Sequence, residues 1–407
     1  MKKYGYLFDK ICTYENLYRA YLNARSKKGW YGEVKIIARR PFYYLAALKW
    51  MFETGNYHTS QYESFIRNDG KKERELYKLP FFPDRIAQWA IIQVLMPTYL
   101  NFFTDDSYSS IPKKGIHAVV KKLRKALDSY PEEMQYCLEL DAKKFYLSIP
   151  HFYLLRQYCK KYKDKRLIYL IRENIMSIST CPATKENINY YFFRGSRSRA
   201  NNRYPPPELF FKYEYRNDKE YLQGYGIPIG NLFSQYHSNF YMTQFDHWVK
   251  EKLGVKHYYR YMDDIRIFAR TKEELWDIYH KVKIYLDKNL AIRLKDNYQI
   301  FPTFVRGVDF VGYRFFKDFT LLRKSTCIEM KRKMTKILHK VTSGKMMSYH
   351  DYCSINSYNG WLKHCDSIRL KRKYIEPLIP YCEIFYMECI KGGGINNENV
   401  SEYKKCG

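Results

Sequence analysis

The chain has 407 residues and a formal net charge of +29, from 71 Lys and Arg against 42 Asp and Glu. This length is enough for about two to four modules of ordinary size, which excludes a small disulfide-stapled scaffold. The charge predicts a polyanionic partner, and by itself it fits a nucleic acid, an anionic membrane surface and an acidic protein about equally.

The N-terminal sequence predicts neither a secretory leader nor a membrane span. MKKYGYLFDKICTYENLYRAY has no apolar core followed by a cleavage site. The longest apolar run, at 86–96, contains Gln88 and Gln93 and is far shorter than the about 20 residues that a spanning helix needs. The ten cysteines are scattered without a CxxC pair, which favours reduced thiols. We therefore expect a cytoplasmic protein.

Helical patterns and one hairpin are predicted in the first third of the chain. YYLAALKWMF at 43–52 has the spacing of an amphipathic helix. NDGKK lies between two short extended runs, which predicts a basic β-hairpin within 65–82. Its charges are typical either of a solvated turn or of a ligand contact. Residues 86–103 predict a further helix, interrupted at Pro97.

QYCLELDAKKFYLSIPH at 135–151 predicts a strand that ends in a carboxylate. Large apolar side chains at 136, 138 and 140 alternate with others, and the pattern stops at Asp141. Residues 151–180 return to a helical pattern. The stretch 181–224 is irregular and basic, so it is either a loop that contacts RNA or a charged insertion without a partner. Its arginines are Arg194, Arg197, Arg199 and Arg203.

A glycine-rich turn and a second hairpin follow. Residues 226–253 predict a turn that leads into a long helix, and the free N–H groups of a helix N-terminus favour phosphate. HYYRYMDDIRIFAR at 257–270 predicts a hairpin of buried strands with Asp263 and Asp264 at its turn. Residues 272–290 predict a helix and 305–316 a short strand pair.

A basic helix is predicted near the C-terminus, at 330–341. Its apolar side is formed by Met330, Met334, Ile337 and Val341. Its charged side, which we expect to contact nucleic acid, includes Lys331, Arg332 and Lys333.

The paired aspartates need a charge partner. Two adjacent carboxylates between buried strands repel each other, and an unpaired buried carboxylate is costly. Divalent metal ions relieve both costs. Asp141, at the end of another predicted strand, supplies a third carboxylate for two Mg²⁺ ions about 3.5–4 Å apart, a spacing typical of phosphoryl transfer. We expect that Mn²⁺ can substitute.

Three motifs then occur in a familiar order: LDAKKFYLSI at 140–149, GIPIGNLFSQ at 226–235 and YMDD at 261–264. Together they resemble the palm motifs of reverse transcriptases. The IGNLFSQ form is similar to that of the enzymes of diversity-generating retroelements and of related phage-defence-associated reverse transcriptases. The resemblance continues in LPFFPDRIAQWAI, KKGIHAVVKKL, RGVDFVGYRF and SYNGWLKHCDS, and it covers roughly residues 1–380.

The resemblance implies an α+β right-hand polymerase, with fingers, a palm built on an antiparallel sheet and a helical thumb. The N-terminal helices and fingers are expected at 1–130. The palm is expected at 131–316, interrupted by a basic insertion at about 181–224. A basic helical thumb and a C-terminal tail are expected at 317–407.

The resemblance also implies roles for individual residues. Asp141, Asp263 and Asp264 would be catalytic and would bind the metal ions. Tyr146 matches the steric gate that excludes a ribose 2′-hydroxyl. The incoming nucleotide would contact Lys72 and Arg74, with Arg85 as a further neighbour, while Ile229 and Gly230 would lie beside the nascent base pair. In the second palm motif, Ile229 stands where many polymerases have Gln.

Two positions depart from the pattern. Leu147 replaces a Pro that is usual in the first motif. Tyr298 stands where many reverse transcriptases have a lysine that protonates the leaving pyrophosphate, and Lys295 is the nearest alternative donor in the sequence.

The activity that the resemblance implies is RNA-directed DNA polymerisation with dNTPs, giving cDNA from a template or non-coding RNA. One role is a diversity-generating retroelement, with a small basic accessory protein as partner. Another is anti-phage defence, in which a bacterial or phage-encoded enzyme copies a non-coding RNA. A hypothesis of another class is a non-catalytic RNA-binding protein on a polymerase fold. The four intact residues Asp141, Tyr146, Asp263 and Asp264 argue against it.

Overall fold

The structure is a computed structural model, and it describes residues 3–69, 72–177 and 224–387. Its helices are α1 (Phe8–Ile11), α2 (Tyr14–Arg25), α3 (Gly32–Arg39), α4 (Pro41–Glu53), α5 (Ile86–Phe102), α6 (Ile116–Ser129), α7 (Phe145–Ser148), α8 (His151–Lys161), α9 (Lys165–Ile175), α10 (Leu232–His247), α11 (Lys272–Leu290), α12 (Thr303–Arg306), α13 (Lys324–Thr342), α14 (Tyr349–Leu362), α15 (Ile368–Tyr374) and α16 (Ile379–Phe385). Its strands are β1 (Glu63–Asp69), β2 (Lys72–Lys78), β3 (Tyr136–Asp141), β4 (His257–Tyr261), β5 (Asp264–Ala269), β6 (Gln299–Pro302), β7 (Val308–Phe310), β8 (Tyr313–Phe315) and β9 (Thr320–Leu322).

Three antiparallel sheets and the helices around them give the α+β class that the sequence predicts. The central sheet has the order β4-β5-β3-β6, and the other two are the hairpin β1-β2 and the meander β7-β8-β9. In the hairpin β1-β2, Asp69 pairs with Lys72. This confirms the predicted β-hairpin, while residues 70 and 71 between the strands lie outside the described part of the chain.

Strand β3 lies between two hydrophobic cores. Leu138 and Leu140 belong to the core formed with the N-terminal helices, α8, α9, α10 and α11. Cys137, on the opposite face, belongs to a second core formed with α6, the meander β7-β9 and the C-terminal helices. The period-2 alternation seen in the sequence therefore reflects a strand that is covered on both faces.

The prediction that Pro97 interrupts its helix is wrong. Helix α5 runs from Ile86 to Phe102 with Pro97 inside it. Pro97 itself is exposed, so water can serve the carbonyl group that proline leaves without a donor. Around it, α5 is buried against α2 and α10. Tertiary packing outweighs the local preference here.

The C-terminal helix predicted at 330–341 is confirmed as part of α13. Its buried side chains are Met330, Met334, Ile337 and Val341. The helix predicted at 272–290 is confirmed as α11, and the strand pair predicted within 305–316 is confirmed as β7 and β8. The boundaries at 130 and 316 stay predictions. Arg194, Arg197, Arg199 and Arg203 lie outside the described residues.

Within residues 3–69, 72–177 and 224–387, we find no helix with the length and apolar character that crossing a bilayer requires. The cysteines of these same ranges are free thiols.

The meander β7-β9 meets α14 at a glycine. Gly312 has φ +87°, and a Cβ built on it would lie 2.5 Å from the Trp361 ring. That ring cannot move away easily, since it stacks on Tyr313 at 5.3 Å and the Tyr313 hydroxyl donates to the Trp361 carbonyl at 2.9 Å.

We expect Gly312→Ala to lower the free energy of unfolding by about 3 kcal/mol, from a strained backbone plus overpacking. Gly55→Ala is the matched control, because Gly55 has φ +72° and no atom within 4 Å of the added Cβ. That change should cost only about 1 kcal/mol. Chemical denaturation of the purified variants measures both, and equal losses would contradict the role given to Trp361.

Candidate active site

The pairing of β3 with β5 brings distant carboxylates together. In this antiparallel ladder Asp141 lies directly opposite Asp264, and Glu139 lies opposite Arg266. The next residue back along the chain from Asp264 is Asp263, at the turn between β4 and β5. Residues that are far apart in the sequence therefore meet at one end of the central sheet.

The turn between β4 and β5 is tight. Tyr261 and Asp264 are paired, so only Met262 and Asp263 connect the strands. Met262 has a left-handed backbone with φ 58°, a conformation that few residues other than glycine adopt. This geometry lets Asp263 project from the end of the sheet rather than continue a strand.

One oxygen of Asp141 is held by a lysine, and the other is not held. Oδ2 accepts a hydrogen bond from Lys295 Nζ, and the Lys295 N–H donates to the Asp141 carbonyl at 2.9 Å. Oδ1 is buried, and no donor from the residues that the structure describes reaches it. A buried carboxylate oxygen without a donor is costly unless a cation occupies the space beside it.

Asp263 shares this environment. Its pKa is raised above the ordinary aspartate value, first by burial and then by the neighbouring Asp141 carboxylate, while Lys295 acts in the opposite direction. Two carboxylates close together with one neighbouring lysine leave excess negative charge at the end of the sheet.

Asp264 points to a different partner. It forms an ion pair with Arg266 Nη1, and Arg266 Nη2 lies 3.0 Å from Glu139 Oε1. The Arg266 side chain is only 2% exposed and also donates to the Asp309 carbonyl at 2.7 Å. Burial raises the pKa of Asp264 to about 6 although Arg266 opposes the shift. Arg266 thus joins β5 to β3 and β7 and pairs with Asp264 through one guanidinium group.

These carboxylates fit a divalent cation in part. Asp141 Oδ1 is buried without a hydrogen-bond donor from the described residues, and the pKa of Asp263 is raised. Both side chains offer hard oxygen ligands of the kind that Mg²⁺ prefers. Asp264 is engaged by Arg266. Within the part of the chain that the structure describes, no three His, Cys, Asp or Glu side chains are gathered as a ready ligand set. The arrangement therefore fits an ion held by Asp141 and Asp263.

Tyr146 lies beside the hairpin turn. Its hydroxyl contacts Met262 Sδ at 3.5 Å, and the Ile227 N–H donates to its carbonyl at 2.9 Å. Burial raises its pKa, and the charge of Asp263 contributes in the same direction. The structure thus brings the phenol ring, predicted as a steric gate, next to Asp263.

The glycine-rich turn contacts the hairpin β1-β2. The Tyr77 N–H donates to the Ile229 carbonyl at 2.9 Å, and Asn231 Nδ2 donates to the Tyr77 carbonyl at 3.1 Å. Between them Gly230 has φ +105°, and a Cβ there would lie 3.3 Å from the Tyr77 carbonyl oxygen. Gly230 is required for both reasons. The expectation that Gly230 approaches a nascent base pair stays a prediction.

The predicted nucleotide contacts lie on this hairpin and after it. Lys72 and Arg74 belong to β2, with Arg74 paired to Arg67 and exposed. Arg85 precedes α5 and is partly buried, which lowers its pKa. On α13, Arg332 is exposed and Lys331 and Lys333 are partly exposed, and Lys331 Nζ lies 5.9 Å from the centre of the Tyr374 ring.

The two candidate proton donors have different surroundings. Tyr298 stacks on Tyr279 of α11, with ring centres 4.0 Å apart, and meets Trp276 edge-on at 5.9 Å. Lys295 contacts the Asp141 carboxylate. Tyr298 thus packs against α11, whereas Lys295 lies next to Asp141.

Sequence reasoning does not single out Arg266, Glu139 or the buried Arg260. A basic residue inside a strand that is otherwise apolar, as in YRYMDDIRIFA, is the only local signal for the two arginines. Such a residue must have an acidic or carbonyl partner, since an isolated buried charge is not tolerated.

Comparison with known proteins gives one family. Residues 66–315, more than half of the chain, match the family model described as reverse transcriptase (RNA-dependent DNA polymerase). The matched segment includes Asp141, Asp263 and Asp264. No curated protein matches the chain.

The raised pKa of Asp264 predicts a pH-dependent stability. The folded protein binds this proton more tightly than the unfolded chain, whose aspartate pKa is about 4. The stabilisation is therefore complete below about pH 4 and is lost as the pH rises through about 6. With divalent cations removed by a chelator, we expect the Tm of the wild type, measured relative to Asp264→Asn, to fall between about pH 4 and pH 6 and to level off above that range.

Asp277→Asn is the control for this experiment, because Asp277 is an exposed residue of α11 paired with Lys281. Its Tm difference from the wild type should not vary over the same range. A constant difference for Asp264→Asn as well would mean that Asp264 titrates normally.

Proposed function

The chain belongs to the reverse transcriptase family, and we propose that it copies a dedicated structured RNA into cDNA by two-metal nucleotidyl transfer at Asp141, Asp263 and Asp264. It is an RNA-directed DNA polymerase, a nucleotidyltransferase. RNA template and dNTPs are the substrates of this family, and cDNA is the product.

One observation carries the assignment of the site. Asp141, at the end of β3, meets the carboxylates at the β4-β5 turn, and its Oδ1 is buried without a donor. A binding protein gains nothing from such a costly group. A metal-dependent polymerase needs it, which supports the catalytic hypothesis over the non-catalytic RNA-binding protein.

Asp141 and Asp263 would hold Mg²⁺, with Asp264 as the supporting third carboxylate, and Mn²⁺ as a substitute. When bound, the ions supply charge neutralisation for the attacking 3′-hydroxyl, the α-phosphate and the leaving pyrophosphate. The chain's own part is to hold the ligand oxygens in place. Lys295 does so for Asp141 Oδ2, and Arg266 does so for Asp264.

We assign the proton donor for pyrophosphate to Lys295. Tyr298, at the position usual for a lysine, is stacked on Tyr279. Lys295 contacts the Asp141 carboxylate, which the proposed reaction places at the metal ions, so its ammonium group is the donor that we propose for the leaving group.

The contacts with the substrates are proposed from the positions that match the family. Lys72 and Arg74 on the hairpin β1-β2, with Arg85 nearby in sequence, would bind the triphosphate through charge-assisted contacts. Ile229 and Gly230 would lie beside the templating base. The palm would comprise about 131–316, with fingers before it and a thumb after it, where Lys331, Arg332 and Lys333 would contact phosphates. The arginines at 194, 197, 199 and 203 would contact RNA.

Within the family, we propose a diversity-generating retroelement, on the similarity of the IGNLFSQ motif at 229–235. This role adds a small basic accessory protein as partner and the bacterial cytoplasm as the location. The alternative is a defence-associated enzyme that copies a non-coding RNA. Sequencing the RNA that copurifies with the protein tests the choice. A template that repeats part of a neighbouring gene supports the retroelement, and a separate structured RNA supports defence.

We expect Asp141→Asn and Asp263→Asn each to lower dNTP incorporation at least about 100-fold, because each removes a charged ligand from the reacting centre. The measurement is primer extension on an RNA template in Mg²⁺, with RNA affinity measured in parallel. Asp277→Asn, on the exposed side of α11, serves as the control and should retain activity. Wild-type rates in both site variants would refute the catalytic roles proposed for Asp141 and Asp263.

Tyr146 should decide between sugars. We expect Tyr146→Ala to reduce the preference for dNTP over rNTP on the order of tenfold or more, since the ring no longer fills the space of a 2′-hydroxyl. Tyr146→Phe keeps the ring and loses only the hydroxyl that contacts Met262. It should therefore keep the preference. Unchanged selectivity in the alanine variant would remove Tyr146 from the gate.

A further inference from the structure

We propose that Arg260 is a positioning residue that sets the backbone of the turn carrying Asp263 and Asp264, and through it the placement of the metal-binding oxygens. The proposal rests on the proposed function of that turn. Arg260 lies on β4, three residues before Asp263, and its side chain is 0% exposed.

The Arg260 guanidinium uses all of its donors. A guanidinium has five N–H groups in a fixed plane. Nε donates to Asp246 Oδ1 at 2.7 Å, and Nη2 donates to Asp246 Oδ2 at 2.5 Å and to Ser107 Oγ at 3.0 Å. Nη1 donates to Asn239 Oδ1 at 3.2 Å and to the Met262 carbonyl at 2.9 Å. Each of the five bonds has a distinct acceptor position.

The bond to Met262 is the one that bears on the site. Met262 is the left-handed residue of the turn, and its carbonyl belongs to the peptide group that joins it to Asp263. A donor that holds this carbonyl fixes the plane of that peptide, and the plane sets the direction in which Asp263 leaves the backbone. Arg260 thus stabilises a backbone conformation that a methionine adopts only at a cost.

The rest of the network makes Arg260 rigid. Asp246, on α10, is also 0% exposed and accepts a further bond from the Tyr258 hydroxyl at 2.6 Å. The loop before α6 is joined to β4 as well, since the Arg260 N–H donates to the Asp106 carbonyl at 2.9 Å and the Tyr108 N–H donates to the Arg260 carbonyl at 3.1 Å. Two segments, α10 and the loop before α6, therefore hold the guanidinium, and its remaining donor reaches the turn.

Structural need alone does not explain this choice of residue. A buried ion pair is weak evidence for stability, because well-packed apolar residues often serve as well. Lysine would neutralise Asp246 equally, but its three donors radiate from one nitrogen and cannot span Asp246 and Met262 together. The geometry thus separates two roles, neutralising Asp246 and holding the turn, and only the second predicts an effect on catalysis.

The test uses Arg260→Lys in the full chain. At a temperature where circular dichroism shows the variant folded, we expect kcat for dNTP incorporation to fall about tenfold or more, with KM for dNTP changed less than about threefold. Binding of Mn²⁺, followed by electron paramagnetic resonance of the free ion, should weaken in the same variant. Wild-type kcat and Mn²⁺ affinity in folded Arg260→Lys would overturn the proposal.

Two controls separate positioning from stability. Leu45→Ala removes a buried side chain of α4 far from the turn in sequence, and it should lower Tm while leaving kcat of the folded protein unchanged. Ser107→Ala removes one bond to the same guanidinium without touching the Met262 contact. It should change kcat less than Arg260→Lys does. Equal losses of kcat in Leu45→Ala and Arg260→Lys would also overturn the proposal.

If Arg260→Lys does not fold, the pair Arg260→Gln with Asp246→Asn removes both buried charges and still lacks the reach to Met262. For that double variant we again expect a lower kcat and a weaker Mn²⁺ affinity, and wild-type values of both would overturn the proposal. If the wild type itself incorporates no dNTP, the proposed function fails, and the Mn²⁺ affinities of wild type and variant still decide whether Arg260 positions the carboxylates.

Discussion

The register between β3 and β5 is the constraint from which the rest of the site follows. It places Asp141 across from Asp264 and Glu139 across from Arg266, at the end of a sheet that is covered on both faces. Acidic groups in such a place need compensation, and the neighbouring cations supply only part of it. Lys295 satisfies one oxygen of Asp141 and leaves the other without a donor. The negative charge that remains favours a cation at this end of the sheet, which is what the proposed function requires.

Two buried arginines, Arg260 and Arg266, support different parts of the hairpin β4-β5. They lie on opposite faces of the sheet. Arg260 is two residues after Tyr258 on β4, so it faces the same core as Tyr258, the one formed with the N-terminal helices. Arg266 contacts Phe310, which belongs to the second core. Arg266 holds the Asp264 side chain, and Arg260 holds the backbone of the turn. Each guanidinium also reaches another segment of the chain, so the position of the turn is tied to both cores. The backbone of the turn and the Asp264 side chain are therefore supported from both faces of the sheet.

Much of this could be predicted from the sequence, because strand periodicity and turn residues are local signals. The strand that ends at Asp141, the hairpin at 257–270 and the apolar side of α13 were predictable for that reason. What a side chain meets across the fold has no such signal. The pairing of Arg260 with Asp246 joins residues on different elements, and the stacking of Tyr298 on Tyr279 depends on how α11 lies beside β6. Pro97 shows the converse, a strong local signal that burial of the surrounding helix overrides.

The hydrogen bonds between Tyr77 and the turn at Ile229 attach the hairpin β1-β2 near the C-terminal end of β2. A hairpin attached at that point is displaced most at the end farthest from it. At about 3.4 Å per residue, Arg74 and Lys72 lie roughly 10 and 17 Å from it. Displacement of the hairpin would therefore move the backbone at Lys72 and Arg74 more than the backbone at Gly230, so the far end of the hairpin and its contact with the glycine-rich turn are mechanically separable.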